Sequence, residues 1–113
     1  MSEHKLQSNI FQFTHNNFPQ TRGLLFHVPN GGKRNKREAN NLKAMGVVPG
    51  IPDLLFLWKG TLHAFELKTE TGTTSKTQKD IHQKWLFHNI KVQIIRTENE
   101  FKKLFFKILN ESK

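Results

Sequence analysis

The chain has 113 residues, room for one domain, and 35% of them are hydrophobic, including ten Phe. It contains no Cys, which excludes disulfides and thiolate zinc sites. Lys and Arg number 18 against 9 Asp and Glu, and the resulting +9 charge points to a polyanionic partner.

The start of the chain, Met1 to Lys5, lacks the apolar core of a secretory leader, and no apolar run is long enough to span a membrane. A cytoplasmic protein is expected. Leu6, Ile10, Phe13 and Phe18 recur at near-helical spacing and predict an amphipathic helix from Glu3 to Asn17, stopped before Pro19. Leu24 to Val28 reads as a short buried strand that ends in the turn Pro29-Asn30-Gly31-Gly32. A polar, basic helix from Asn35 to Met45 follows, with Gly46 at its end. The Gly/Pro-rich passage 46–52 then delivers the chain into an apolar strand, Asp53 to Trp58. Lys59-Gly60 signals a tight turn, with Thr61 to Lys68 as the return strand. After a polar loop, Ser75 or Thr77 caps a helix reaching Asn89, with Ile81, Trp85 and His88 on one face. Lys91 to Ile95 is a strand, and Glu98 to Leu109 a final helix striped by Phe101, Leu104, Phe105 and Ile108. The order α-β-α-β-β-α-β-α predicts an α/β domain, a mixed sheet flanked by helices, over residues 1–113.

The hairpin carries the chemistry. A two-residue turn at Lys59-Gly60 pairs Trp58 with Thr61, and continuing back along both strands sets Asp53 opposite Glu66. Side chains so opposed have Cβ atoms about 4.5–5.5 Å apart. Lys68 falls on the same face, one alternation beyond Glu66. A bulge at Gly60 shifts this register by one, so the pairing is conditional. Leu55, Leu57, Leu62 and Ala64 share the face and predict that it is buried. Two carboxylates at the mouth of an apolar face repel each other unless a cation lies between them. Oxygen ligands of this kind suit Mg²⁺ or Mn²⁺. The plainer alternative is a Glu66–Lys68 surface neighbour pair, with Asp53 capping the turn after Pro52.

Gly50-Ile51-Pro52-Asp53, then Glu66-Leu67-Lys68, then Ser75-Lys76-Thr77-Gln78 resembles the VRR-NUC branch of the PD-(D/E)XK nucleases, over most of the chain. The resemblance implies a restriction-endonuclease-like core. It also implies that Asp53 and Glu66 are metal ligands, with the Leu67 carbonyl as a further oxygen. Lys68 becomes the catalytic lysine, Gln78 reaches the active site, and Glu3 lies near the metal, directly or through water. Asn30, Gly31, Gly32, Lys33, Arg34, Lys36 and Arg37 set flexible backbone N–H groups beside cations at a helix start, an arrangement that grips phosphates. Lys76, with Lys79 and Lys84, forms a second basic set. The six His show no ligand spacing and read as surface or packing residues.

Small members of the family that the chain resembles cut branched DNA, such as four-way Holliday junctions, as dimers. The expectation is therefore a Mg²⁺- or Mn²⁺-dependent homodimeric endonuclease of a bacterial or phage-infected cell, with no small-molecule cofactor and no membrane partner. Leu24, Phe26, Phe101 and Phe105 exceed what a small core needs, which places some of them at an interface. The alternatives are a sequence-specific restriction-type enzyme, a DNA-binding module without catalysis, and an RNA-associated protein, for which no base-stacking motif is visible.

Overall fold

The computed structural model describes residues 1–29 and 35–111. Helix α1 spans Glu3–Asn17, with Ser2 accepting from the Lys5 N–H as its N-cap. A short 3₁₀ turn, Pro19–Thr21, leads into β1 (Leu25–His27). Helix α2 (Lys36–Ala44) is capped by Asn35 and buries none of its side chains. The hairpin β2 (Leu54–Trp58) and β3 (Thr61–Leu67) is followed by α3 (Lys76–Phe87), β4 (Val92–Ile95) and α4 (Glu98–Asn110). The expected order holds, with a 3₁₀ turn added where Pro19 starts a turn rather than only ending α1. Among the described residues, no helix is long and apolar enough to cross a membrane.

The strands lie in the order β1-β2-β3-β4, antiparallel up to β3 and parallel between β3 and β4, so the sheet is mixed. Parallel pairing of β3 with β4 needs a crossover, and α3 supplies it. The Lys59-Gly60 turn has φ +48° and +80°, the doubly left-handed geometry of a type I′ hairpin turn, whose twist matches the strands. No bulge intervenes, and the register runs from Trp58↔Thr61 to Leu54↔Phe65.

The main core lies on one face of the sheet. Leu25, Leu54, Phe56, Phe65, Leu67 and Ile95 pack there against Leu6 and Ile10 of α1 and Phe101, Phe105 and Ile108 of α4. Phe105 meets Phe56 at 4.9 Å and Phe101 at 5.2 Å between ring centroids. Each fully buried Phe contributes roughly 1.5–3 kcal/mol. Phe101 and Phe105 are thus core residues rather than interface residues, whereas Phe26 is 40% exposed.

The face carrying Glu66 differs from the expectation. Of Leu55, Leu57, Leu62 and Ala64, only Ala64 is buried, and Leu57 is 46% exposed. Apolar residues occupy both faces of β2, and the two helices α1 and α4 cover the other one. On the Glu66 face α3 packs near β4, its Ile81 and Trp85 half-buried and His88 exposed as the C-cap.

Candidate active site

Asp53 immediately precedes β2, one step beyond the Leu54↔Phe65 pair, and therefore faces Glu66. Its backbone is tied to β1, with the carbonyl accepting from the Val28 N–H at 3.2 Å and lying 2.7 Å from His27 Nδ1. Its carboxylate reaches across the hairpin, where Oδ2 accepts from the Leu67 N–H at 2.8 Å. That bond turns the Leu67 N–H toward Asp53. In an extended strand the carbonyl of the same residue points to the same side, so the Leu67 carbonyl faces the site.

Glu66 is 1% exposed and Lys68 7%. Gln78 Nε2 donates to Glu66 Oε2 at 2.9 Å, while Gln78 Oε1 accepts from the Ser75 N–H at 3.0 Å. The capping box that starts α3 thus fixes the amide so that its donor end points at the carboxylate. Gly50 holds α3 close to the loop before Asp53. At φ +86°, a Cβ there meets the Thr77 carbonyl oxygen at 2.9 Å.

Burial pushes the Glu66 carboxyl up to about 9. The Asp53 charge and a hydrogen bond shared with the Asp53 carboxyl add to the rise, Lys68 opposes it, and Glu3 contributes from α1. Without a cation, one proton is therefore retained at this pair near neutral pH. Lys68 makes no ion pair within 4 Å among the described residues, although its charge is felt at Glu66.

A divalent ion fits this donor set. Once Glu66 is ionised, no N–H or O–H reaches its buried Oε1 in hydrogen-bond geometry. Asp53, also an acceptor, cannot satisfy it, and a buried unpaired carboxylate oxygen is costly. No three His, Cys, Asp or Glu side chains among the described residues converge as a ready-made cage. Two carboxylates and a carbonyl nevertheless match the habit of Mg²⁺, which keeps several waters and takes its remaining ligands from phosphate.

Asp53, Glu66, Lys68 and Gln78 are brought together as expected, and the Leu67 carbonyl lies beside them. Glu3 is exposed in the first turn of α1, and its Oε2 lies 3.8 Å from where a Gly72 Cβ would sit. Its charge reaches Glu66. Of the basic residues, Lys36 and Arg37 open α2 and are exposed. Lys76 pairs with Asp80 at 2.9 Å on the surface of α3, so its charge is partly neutralised locally. Asn30, Gly31, Gly32, Lys33 and Arg34 lie outside the described residues.

Two residues that the sequence did not single out also belong here. His82, expected on the surface or in packing, has Nε2 3.4 Å from Glu66 Oε1 and a side chain only 15% exposed. Burial and the Lys68 charge lower its pKa, so the ring is neutral. Its signal was the spacing of four from Gln78, which puts both on one helix face. Arg96 Nη1 donates to the carbonyls of Thr69 at 2.8 Å and Gly72 at 2.6 Å, pinning the loop after Lys68. Nothing in its sequence context marked that role.

No family model and no curated protein matches this sequence. In three dimensions the chain is similar to a VRR_NUC domain protein, with a TM-score of 0.77 at 15% identity, covering 96% of this chain and 88% of that one. The chain therefore has the fold of a VRR_NUC domain protein.

Proposed function

We propose that the protein belongs with the VRR-NUC nucleases and is a Mg²⁺- or Mn²⁺-dependent endonuclease that hydrolyses phosphodiester bonds in branched DNA such as four-way junctions. The observation that carries this reading is the pairing of Asp53 with a buried Glu66 across the hairpin, with Lys68 beside them. A protein that only binds DNA gains nothing from two acidic groups facing phosphates. When bound by Asp53, Glu66 and the Leu67 carbonyl, a divalent cation supplies Lewis acidity at the phosphate and favours ionisation of an attacking water. Lys68 neutralises the charge that builds on the phosphoryl oxygens. Gln78 keeps Glu66 aimed at the site, and the loop pinned by Arg96 borders it.

The preference for branched DNA rests on size and symmetry. A domain of 113 residues has little surface with which to read bases, whereas a two-fold dimer presents two centres to a symmetric junction. The exposed Phe26, Leu57 and Phe87 give a second copy apolar surface to cover. A labelled four-way junction, a flap and a linear duplex, each incubated with Mg²⁺, Mn²⁺ or EDTA, test the proposal. Metal-dependent cutting of the junction above the duplex supports it. Cutting of linear duplex at fixed sequences favours a restriction-type enzyme instead. Cutting that persists in EDTA contradicts the metal assignment.

A further inference from the structure

Three buried side-chain polar atoms among the described residues lack a hydrogen-bond partner: Trp58 Nε1, Glu66 Oε1 and His82 Nε2. Two of the three face each other 3.4 Å apart in the candidate site. Unpaired buried groups are expensive, so two juxtaposed ones, a potential donor and an acceptor, mark a contact that closes in the working state. Two contacts already constrain their geometry. Gln78 holds the other oxygen of Glu66, and the same helix carries His82 one turn further on. Gly50, in contact with Thr77 and Ile81, seats that turn of α3 against the loop that leads to Asp53.

Building on the nuclease reading above, we infer that His82 is a positioning residue for Glu66. Its Nε2–H takes one of the two acceptor sites of Oε1 while Gln78 holds Oε2, which leaves the other site of Oε1, beside Asp53, for a divalent cation. His82 acts here through Glu66: its Nε2 is buried and faces Glu66 Oε1. The nitrogen it would use is buried and turned to Glu66, not to the surface where substrate would lie. Ligating carboxylates are commonly fixed by such outer hydrogen bonds, and losing one typically costs about 10- to 100-fold in metal affinity or activity.

The test is calorimetric titration of the full chain with Mn²⁺ in the absence of DNA, alongside junction cleavage as a function of Mn²⁺ concentration. His82→Phe keeps a ring of similar size and removes the donor. It is expected to weaken Mn²⁺ binding about 10- to 100-fold and to raise the Mn²⁺ needed for cleavage in parallel. Cleavage at saturating Mn²⁺ is expected to stay within a few-fold of the parent. His82→Gln, which retains an N–H donor, is expected to recover most of the affinity. A role in packing alone moves the melting temperature and leaves Mn²⁺ affinity unchanged, so His82→Phe binding Mn²⁺ like the parent overturns the inference. If His82→Phe does not fold, His82→Met against His82→Gln makes the same comparison with a more adaptable apolar side chain. A parent protein that binds Mn²⁺ and cuts, beside a His82→Phe that does both equally well, removes this inference alone. A parent that does neither removes the nuclease reading with it.

Discussion

Glu66 is held in a place where its charge is unwelcome, and that has consequences for pH. Its folded pKa lies near 9 and its unfolded value near 4.5, so between them the folded state keeps a proton that the unfolded state releases. The stabilisation from this group is complete below about 4.5 and is lost as pH rises toward 9. His82 acts in the opposite window: its folded pKa is lowered, so it costs stability as pH falls below 6.5. In EDTA, the melting temperature of the parent is therefore expected to fall between pH 6.5 and 9 more steeply than that of Glu66→Gln. Parallel curves for the two proteins contradict the assignment. Asp53, Glu66 and Lys68 were legible in the sequence because a two-residue turn and strand alternation fix their relative placement locally, whereas Gln78 was reached only through the family resemblance. His82 was not legible, because its role depends on how α3 packs onto the sheet, which no local pattern specifies.

At the level of elements, the hairpin and its turn carry the site. Lys59 adopts φ +48° in a position that favours Asn, so Lys59→Asn is expected to stabilise the protein by roughly 0.5–1 kcal/mol, a rise of a few degrees in melting temperature. A fall in melting temperature contradicts the turn assignment. Gly50→Ala has the opposite sign. Its positive φ and the 2.9 Å approach to the Thr77 carbonyl predict a loss of about 1–3 kcal/mol, together with weaker cleavage because α3 and Gln78 shift. Unchanged stability and activity contradict that coupling. Helix α1 was readable to its ends because Ser2 caps it and Pro19 follows it. The buried face of β2 was misread because Leu54, Leu55, Phe56, Leu57 and Trp58 are apolar on both sides. Alternation cannot then tell which face the helices will cover.

Over the whole molecule, the +9 charge is the source of long-range attraction that the proposed function assigns to DNA binding. Junction affinity is expected to fall on the order of 10³-fold between 50 and 200 mM salt if about six phosphates are contacted. A flat response removes the basic surface as the source of binding. Helix α2 begins with Lys36 and Arg37 and buries none of its side chains, so its exposed cations are free to follow a phosphate backbone. Replacing both with Ala is expected to reduce the salt slope by about two without unfolding the domain, as binding measured across a salt series will reveal. Composition sufficed to raise the expectation of a polyanionic partner. The arrangement of two sites on a branched substrate was not, because it depends on contacts between copies that one chain does not encode locally.

The most direct test of the central claim, that Asp53 and Glu66 act together on a shared divalent cation, is junction cleavage by Asp53→Asn in saturating Mg²⁺, with junction binding measured in parallel. Asn keeps an oxygen to accept from the Leu67 N–H, so the fold is preserved. Cleavage is expected to fall about 10³-fold or more, with binding unchanged or tighter because a charge facing the phosphates is gone. Cleavage at the parent rate contradicts the account.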